Sequence, residues 1–165
     1  MENASREIST YAGWADQNQS LALDGVFLDE TPNEYEAPRA ELLTNIRSEV
    51  ESTAGLGTYI VHNPGMVPDP RYMESADLTV VFEEAYRTFE NQNSNTVSRV
   101  RDLQQDRQDL CMLVHSVPDS EMEGDQLHEL VDQLQDLAGS IFLTNLAVDY
   151  YHSFSSQFGD FVRAI

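Results

Sequence analysis

A parallel α/β fold follows from three features of this 165-residue chain. Five short apolar runs recur along it, each about five residues long and rich in β-branched and aromatic side chains. Segments of helical periodicity separate most of them, and every run ends in polar or ionisable residues. Runs that do not alternate strictly are strands covered on both faces, as in a parallel sheet. Their alternation with helices implies right-handed parallel βα units.

The elements follow in order. The first fourteen residues read as the end of a helix running into Trp14. "LDGVFLDE" is the first strand and closes on Asp29 and Glu30. Pro38 suits a first helical turn, Leu42, Leu43, Ile46 and Val50 recur at helical spacing, and Gly55 and Gly57 serve as stops. "GTYIVHNPG" is the second strand, closing on His62 and Asn63. The connection "PGMVPDPRYMESAD" is too short and proline-rich for a long helix and predicts a loop with a turn or two. "DLTVVFEEAY" is the third strand, closing on Glu83, with Glu84 opening a loop. A helix around Val97, Val100 and Leu103 follows, edged by arginines. "DLCMLVHSVP" is the fourth strand, closing on His115 and Ser116. Ser120 and Glu123 have capping-box spacing ahead of Leu127, Leu130, Val131, Leu134 and Leu137, and Gly139 ends that helix. "GSIFLTN" is the fifth strand, closing on Thr144 and Asn145. Tyr150, Tyr151, Phe154, Phe158, Phe161, Val162 and Ile165 form a stripe whose spacing predicts core packing. No linker marks a second domain, so residues 1–165 read as one.

Composition narrows the function. Twenty-nine acidic residues stand against nine arginines and no lysine, for a net charge of −20. Such a polyanion repels nucleic acid and anionic membranes and attracts cations, a polycationic substrate included. Two readings fit the missing lysine: a compositional bias of the lineage, or adaptation to high salt, where a Debye length of ~3 Å removes the self-repulsion. A melt with added salt separates them, since a halophilic protein loses stability in dilute buffer. The single cysteine, Cys111, lies in an apolar run and reads as a buried thiol. No apolar stretch reaches the ~18 residues of a membrane span, and the polar start "MENASREIST" is not a signal peptide.

In parallel α/β folds ligands sit at the C-terminal ends of the strands. Five polar strand ends, two of them acidic, therefore predict a polar cleft. An acid from each of two strands supplies the pair that glycoside hydrolysis needs, one as nucleophile or base and one as proton donor. Three other readings stand beside this one. Asp29 or Glu30 can cap the helix after "TPNEYEAP". Asp29, Glu83 and His115 can be imagined around a divalent metal, although no ligand spacing supports it. His62 and His115 at strand ends fit hydrogen-bonded rim residues better than bases. No phosphate-binding, dinucleotide, nucleophile-elbow or zinc motif is present, so no cofactor or metal is expected.

In order, "YAGW", "DGVFLDETPN", "HNPGMVPDPRYMESADLTVVFEEAY" and "LVHSVP" resemble the spherulin-4-like family, also called spherulation-specific family 4, from about Tyr11 to the C-terminus. The resemblance implies a (β/α)8 TIM-type barrel and a glycoside hydrolase that cleaves α-1,4-linked galactosamine or N-acetylgalactosamine in galactosaminogalactan, an exopolysaccharide. Carried over by motif, it implies Asp29 as nucleophile, Glu83 as acid/base and Glu30 as a supporting carboxylate. It makes Asn63, Tyr86 and His115 cleft residues that bond sugar hydroxyls or an amide. His62 departs from it, standing where the family more often has an aliphatic residue. A complete barrel needs eight strands and typically ~250 residues. The five here predict a partial barrel made of the C-terminal five strands, since the family's segment before "YAGW" has no counterpart. The expectation is an incomplete copy whose leader is lost with that segment, extracellular in full-length form, or a protein whose open sheet edges are covered by self-association. A second class of function goes with the latter: an inactive partial barrel that binds glycan or serves as a structural module.

Overall fold

The computed structural model describes residues 2–165. Ten principal elements follow one another: α1 (Glu2–Gln17), β1 (Leu23–Asp29), α2 (Ala37–Ser52), β2 (Leu56–Asn63), β3 (Leu78–Ala85), α3 (Tyr86–Asp102), β4 (Leu110–His115), α4 (Gly124–Gln135), β5 (Ser140–Leu143) and α5 (Phe158–Ala164). The strands form one open parallel sheet in the order β1-β2-β3-β4-β5, flanked by helices, as expected for part of a (β/α)8 barrel. Contacts divide the chain into two compact units, one running to Pro64 and including Pro68–Thr79, the other comprising Gly65–Val67 and Val80–Ile165.

In the first unit, Ile8, Val26, Ile46, Val50 and Ile60 make the core, with Ala4, Tyr11, Leu28 and Leu56 packed around it. Val26 and Leu28 of β1 and Ile60 of β2 thus point toward α1 and α2. Side chains alternate along a strand, so Phe27 and Asp29, with Tyr59 and Asn63, lie on the opposite face. Phe27 and Tyr59 are each 48% exposed there. Pro38 sits in the first turn of α2, and Leu43, Ile46 and Val50 form its buried face, as the spacing predicts. Gly55 follows that helix at φ +86°, a conformation suited to glycine. Gly57 is not a stop but part of β2. It belongs to a close approach of β1 and β2, where the register shifts between Leu23 and Gly25. A Cβ on Gly25 would lie 1.7 Å from the Tyr59 carbonyl oxygen. Gly25→Ala is therefore expected to cost at least about 1–3 kcal/mol, because the obstacle is backbone and cannot rotate away. Urea unfolding checks this, and an unchanged midpoint would contradict the β1–β2 pairing. Asp77 secures the middle of β2. Its carboxylate accepts from the Ile60 N–H (2.8 Å) and from Arg47 Nη2 (3.0 Å). The 64–77 connection contains the short 3-10 helix Pro70–Ser75, in keeping with its sequence.

In the second unit, Val80 and Phe82 of β3, Phe89 and Val100 of α3, Met112 and Val114 of β4 and Leu127, Leu130, Val131 and Leu134 of α4 are buried. Phe82 meets Phe89 edge-on at 5.8 Å. Three expectations are corrected here. Glu84 opens no loop: β3 continues to Ala85 and α3 begins at the next residue, beyond where the apolar run stops signalling a strand. Ser120 does not cap α4, which starts at Gly124 after Glu123. Met122 is fully buried, and Asn145 Nδ2 donates to Asp119 Oδ1 (2.8 Å), so residues 119–121 are held as a separate turn. The aromatic tail is not a core stripe. Phe161 alone is buried, whereas Tyr151 and Val162 are more than half exposed and Phe154 is 75% exposed.

Candidate active site

In the first unit the end of β1 carries a fixed carboxylate. Asp29 Oδ1 accepts from Asn63 Nδ2 (2.9 Å) and from the Glu30 N–H (3.0 Å). Asp29 and Asn63 are register partners at the ends of β1 and β2, so pairing brings these two side chains together. Glu30 has left-handed backbone (φ 53°), which turns the chain sharply out of the strand. The Thr31 N–H then donates to the Asn63 carbonyl (3.1 Å). Neither Asp29 nor Glu30 caps α2, whose N-cap position is Glu36. The approach to that strand end is held by Tyr72, whose hydroxyl donates to the Glu34 carbonyl and accepts from the Glu36 N–H (both 2.9 Å). Arg71 lies over the Tyr35 ring at 3.4 Å. Its bonds to Asp69 hold that carboxyl down to about 2.

In the second unit the end of β3 carries another fixed carboxylate. Glu83 Oε1 accepts from the hydroxyls of Tyr150 (3.0 Å) and Tyr151 (2.7 Å). The Glu83 N–H donates to the Gly65 carbonyl (2.9 Å), which anchors its backbone. The Tyr150 ring stacks on His115 at the end of β4, with centroids 4.8 Å apart and planes 11° apart. His115 Nδ1 lies 3.0 Å from Ser116 Oγ, and Ser116 repeats the left-handed backbone seen after β1 (φ 54°). Cys111 is buried on β4, and burial first, then the Glu83 charge, pushes its thiol up to about 12, which suits an inert side chain.

Asp29, Glu30 and Asn63 therefore cluster in one unit, and Glu83 and His115 are joined through Tyr150 in the other. Tyr86 belongs elsewhere. It lines a cavity of about 280 Å3 between α3 and α4 with Glu90, Glu121, Gln126 and Glu129. Burial, then the charges of Glu121 and Glu90, pushes its hydroxyl up to about 12. Glu84 lines another cavity, of about 190 Å3, with Met66, Val67, Thr88, Gln92 and Arg99. His62 is not a rim residue: it is 2% exposed, and its Nε2 is buried without a hydrogen-bond partner. The spacing of Tyr150 and Tyr151 matches a packing stripe, which conceals their contact with Glu83 in the sequence. The available signal was their position, a pair of tyrosines in the irregular stretch just beyond a strand end. Among the described residues, no group of three His, Cys, Asp or Glu side chains could hold a metal ion. No helix among them is long and apolar enough to cross a membrane.

A parallel sheet with flanking helices and carboxylates at its strand ends defines a partial TIM-barrel-type protein. The chain belongs to spherulation-specific family 4, whose model matches residues 1–165. It is similar over 97% of its length to Sph3 of Aspergillus clavatus, whose crystal structure is in complex with GalNAc, with 42% identity and a TM-score of 0.88. The chain spans 64% of the length of that protein. No curated protein matches it.

Proposed function

We propose that this protein is a glycoside hydrolase acting on an exopolysaccharide of α-1,4-linked galactosamine or N-acetylgalactosamine. Asp29 serves as nucleophile and Glu83 as acid/base, with Glu30 as supporting carboxylate. Asn63 and His115 contact the sugar, and Tyr86 lies further out along the helices. One observation carries the reading: each of the two acids lies in the last three residues of a strand of a parallel sheet and has one oxygen held by two hydrogen-bond donors. Acids anchored in this way have a defined orientation, which glycoside hydrolysis requires. Family membership and the GalNAc complex of Sph3 support the sugar class. An acidic surface suits a partly deacetylated, cationic polymer.

A second reading, glycan binding without turnover, is favoured by the half-exposed Phe27 and Tyr59 on the sheet face that carries Asp29. A reducing-end assay on galactosaminogalactan separates the two. Release of reducing ends that disappears in both Asp29→Asn and Glu83→Gln supports hydrolysis. Retention of polymer with no release supports binding alone.

A further inference from the structure

Glu83 is held from two strands away. The sheet order runs β3-β4-β5, and the loop after β5 brings its tyrosines past His115 of β4 to the carboxylate at the end of β3. We propose that Tyr150 and Tyr151 are positioning residues that orient the Glu83 carboxylate for proton transfer, an inference that rests on the acid/base role given to Glu83 above. Both hydroxyls donate to the same atom, Oε1. Two phenolic hydrogen bonds on one oxygen fix the direction of the carboxylate. When the glycosidic bond breaks, its electron pair stays on the departing oxygen, which takes the proton from Glu83, while the sugar carbon bonds to the Asp29 carboxylate. Glu83 becomes negatively charged in that step. The charge spreads over both oxygens, and the two phenols stabilise the share on Oε1, so these bonds strengthen as the proton leaves. Tyr150 is itself oriented by its stack on His115, and Tyr151 makes the shorter bond.

The test uses Tyr150→Phe, Tyr151→Phe and the double variant, which keep the rings and remove only the hydroxyls. On the polysaccharide, whose leaving group needs a proton, kcat is expected to fall about tenfold for each variant with KM little changed. On a nitrophenyl α-glycoside of a short oligomer of the same sugar, whose leaving group departs without a proton, the loss is expected to stay within about twofold. Equal losses on both substrates would overturn the proposal, because a general disturbance of the site does not distinguish leaving groups. Glu83→Gln is run alongside: full activity on the polysaccharide in that variant rejects the acid/base role and this proposal with it. A crystal structure of the double variant decides the anchoring without any assay. The Glu83 carboxylate is expected to leave its wild-type orientation, and an unmoved carboxylate would overturn the role assigned to the tyrosines.

Discussion

Replacing Glu83 by Gln is expected to lower kcat on galactosaminogalactan by about a hundredfold to ten-thousandfold, the range that a positioned general acid or base contributes. The amide matches the carboxylate in shape, and its carbonyl oxygen still accepts from Tyr150 and Tyr151, so the site keeps its form while losing its proton. Asp29→Asn should be at least as damaging, since an amide is a far weaker nucleophile than a carboxylate. Asp29 is exposed, so its loss of activity should come with a stability change of only about 0.5 kcal/mol or less. The two variants differ with activated substrates. A nitrophenyl leaving group should restore much of the rate to Glu83→Gln and little to Asp29→Asn. Substantial hydrolysis of the polymer by both variants would reject the pair.

Replacing His62 by Leu is expected to remove an acid-sensitive weakness of the first unit. His62 sits on the helix-facing side of β2, opposite in parity to Asn63, and is buried with the Arg47–Asp77 pair as its charged neighbours. Burial, then the Arg47 charge, lowers its pKa from 6.5 to about 4 against the opposing pull of Asp77. The native state thus binds fewer protons than the unfolded chain between those values, and stability falls as pH drops through that window. The loss amounts to about 3 kcal/mol between pH 7 and pH 4. His62→Leu should flatten that part of the stability–pH profile. It should also gain about 1–3 kcal/mol at neutral pH, because it removes a buried nitrogen that has no partner. Urea unfolding at several pH values measures both effects. Equal slopes for wild type and variant would show that His62 is hydrated in the native state.

Much of the architecture was legible in the residues. The five apolar runs became the five strands, Pro38 opened its helix, and the proline-rich 64–77 connection made only a short turn. These are local matters of side-chain periodicity, proline geometry and backbone conformation, which a sequence states directly. Asp29, Glu30 and Glu83 were likewise marked by their place at the ends of apolar runs. The family blocks led to the family that the whole chain matches.

Tertiary structure decided which side chains meet. Tyr86 followed Glu83 closely in sequence but turned into the cavity between α3 and α4, because the strand passes into the helix without a loop. Tyr150 and Tyr151 lie far from Glu83 in sequence and share its carboxylate, brought there by the β3-β4-β5 order. His62 and Asn63 are adjacent, yet one is buried toward the helices and the other bonds Asp29, because successive strand residues face opposite ways. A sequence determines periodicity along one chain segment, whereas hydrogen bonds between distant side chains depend on strand order and register, which arise only when the sheet assembles.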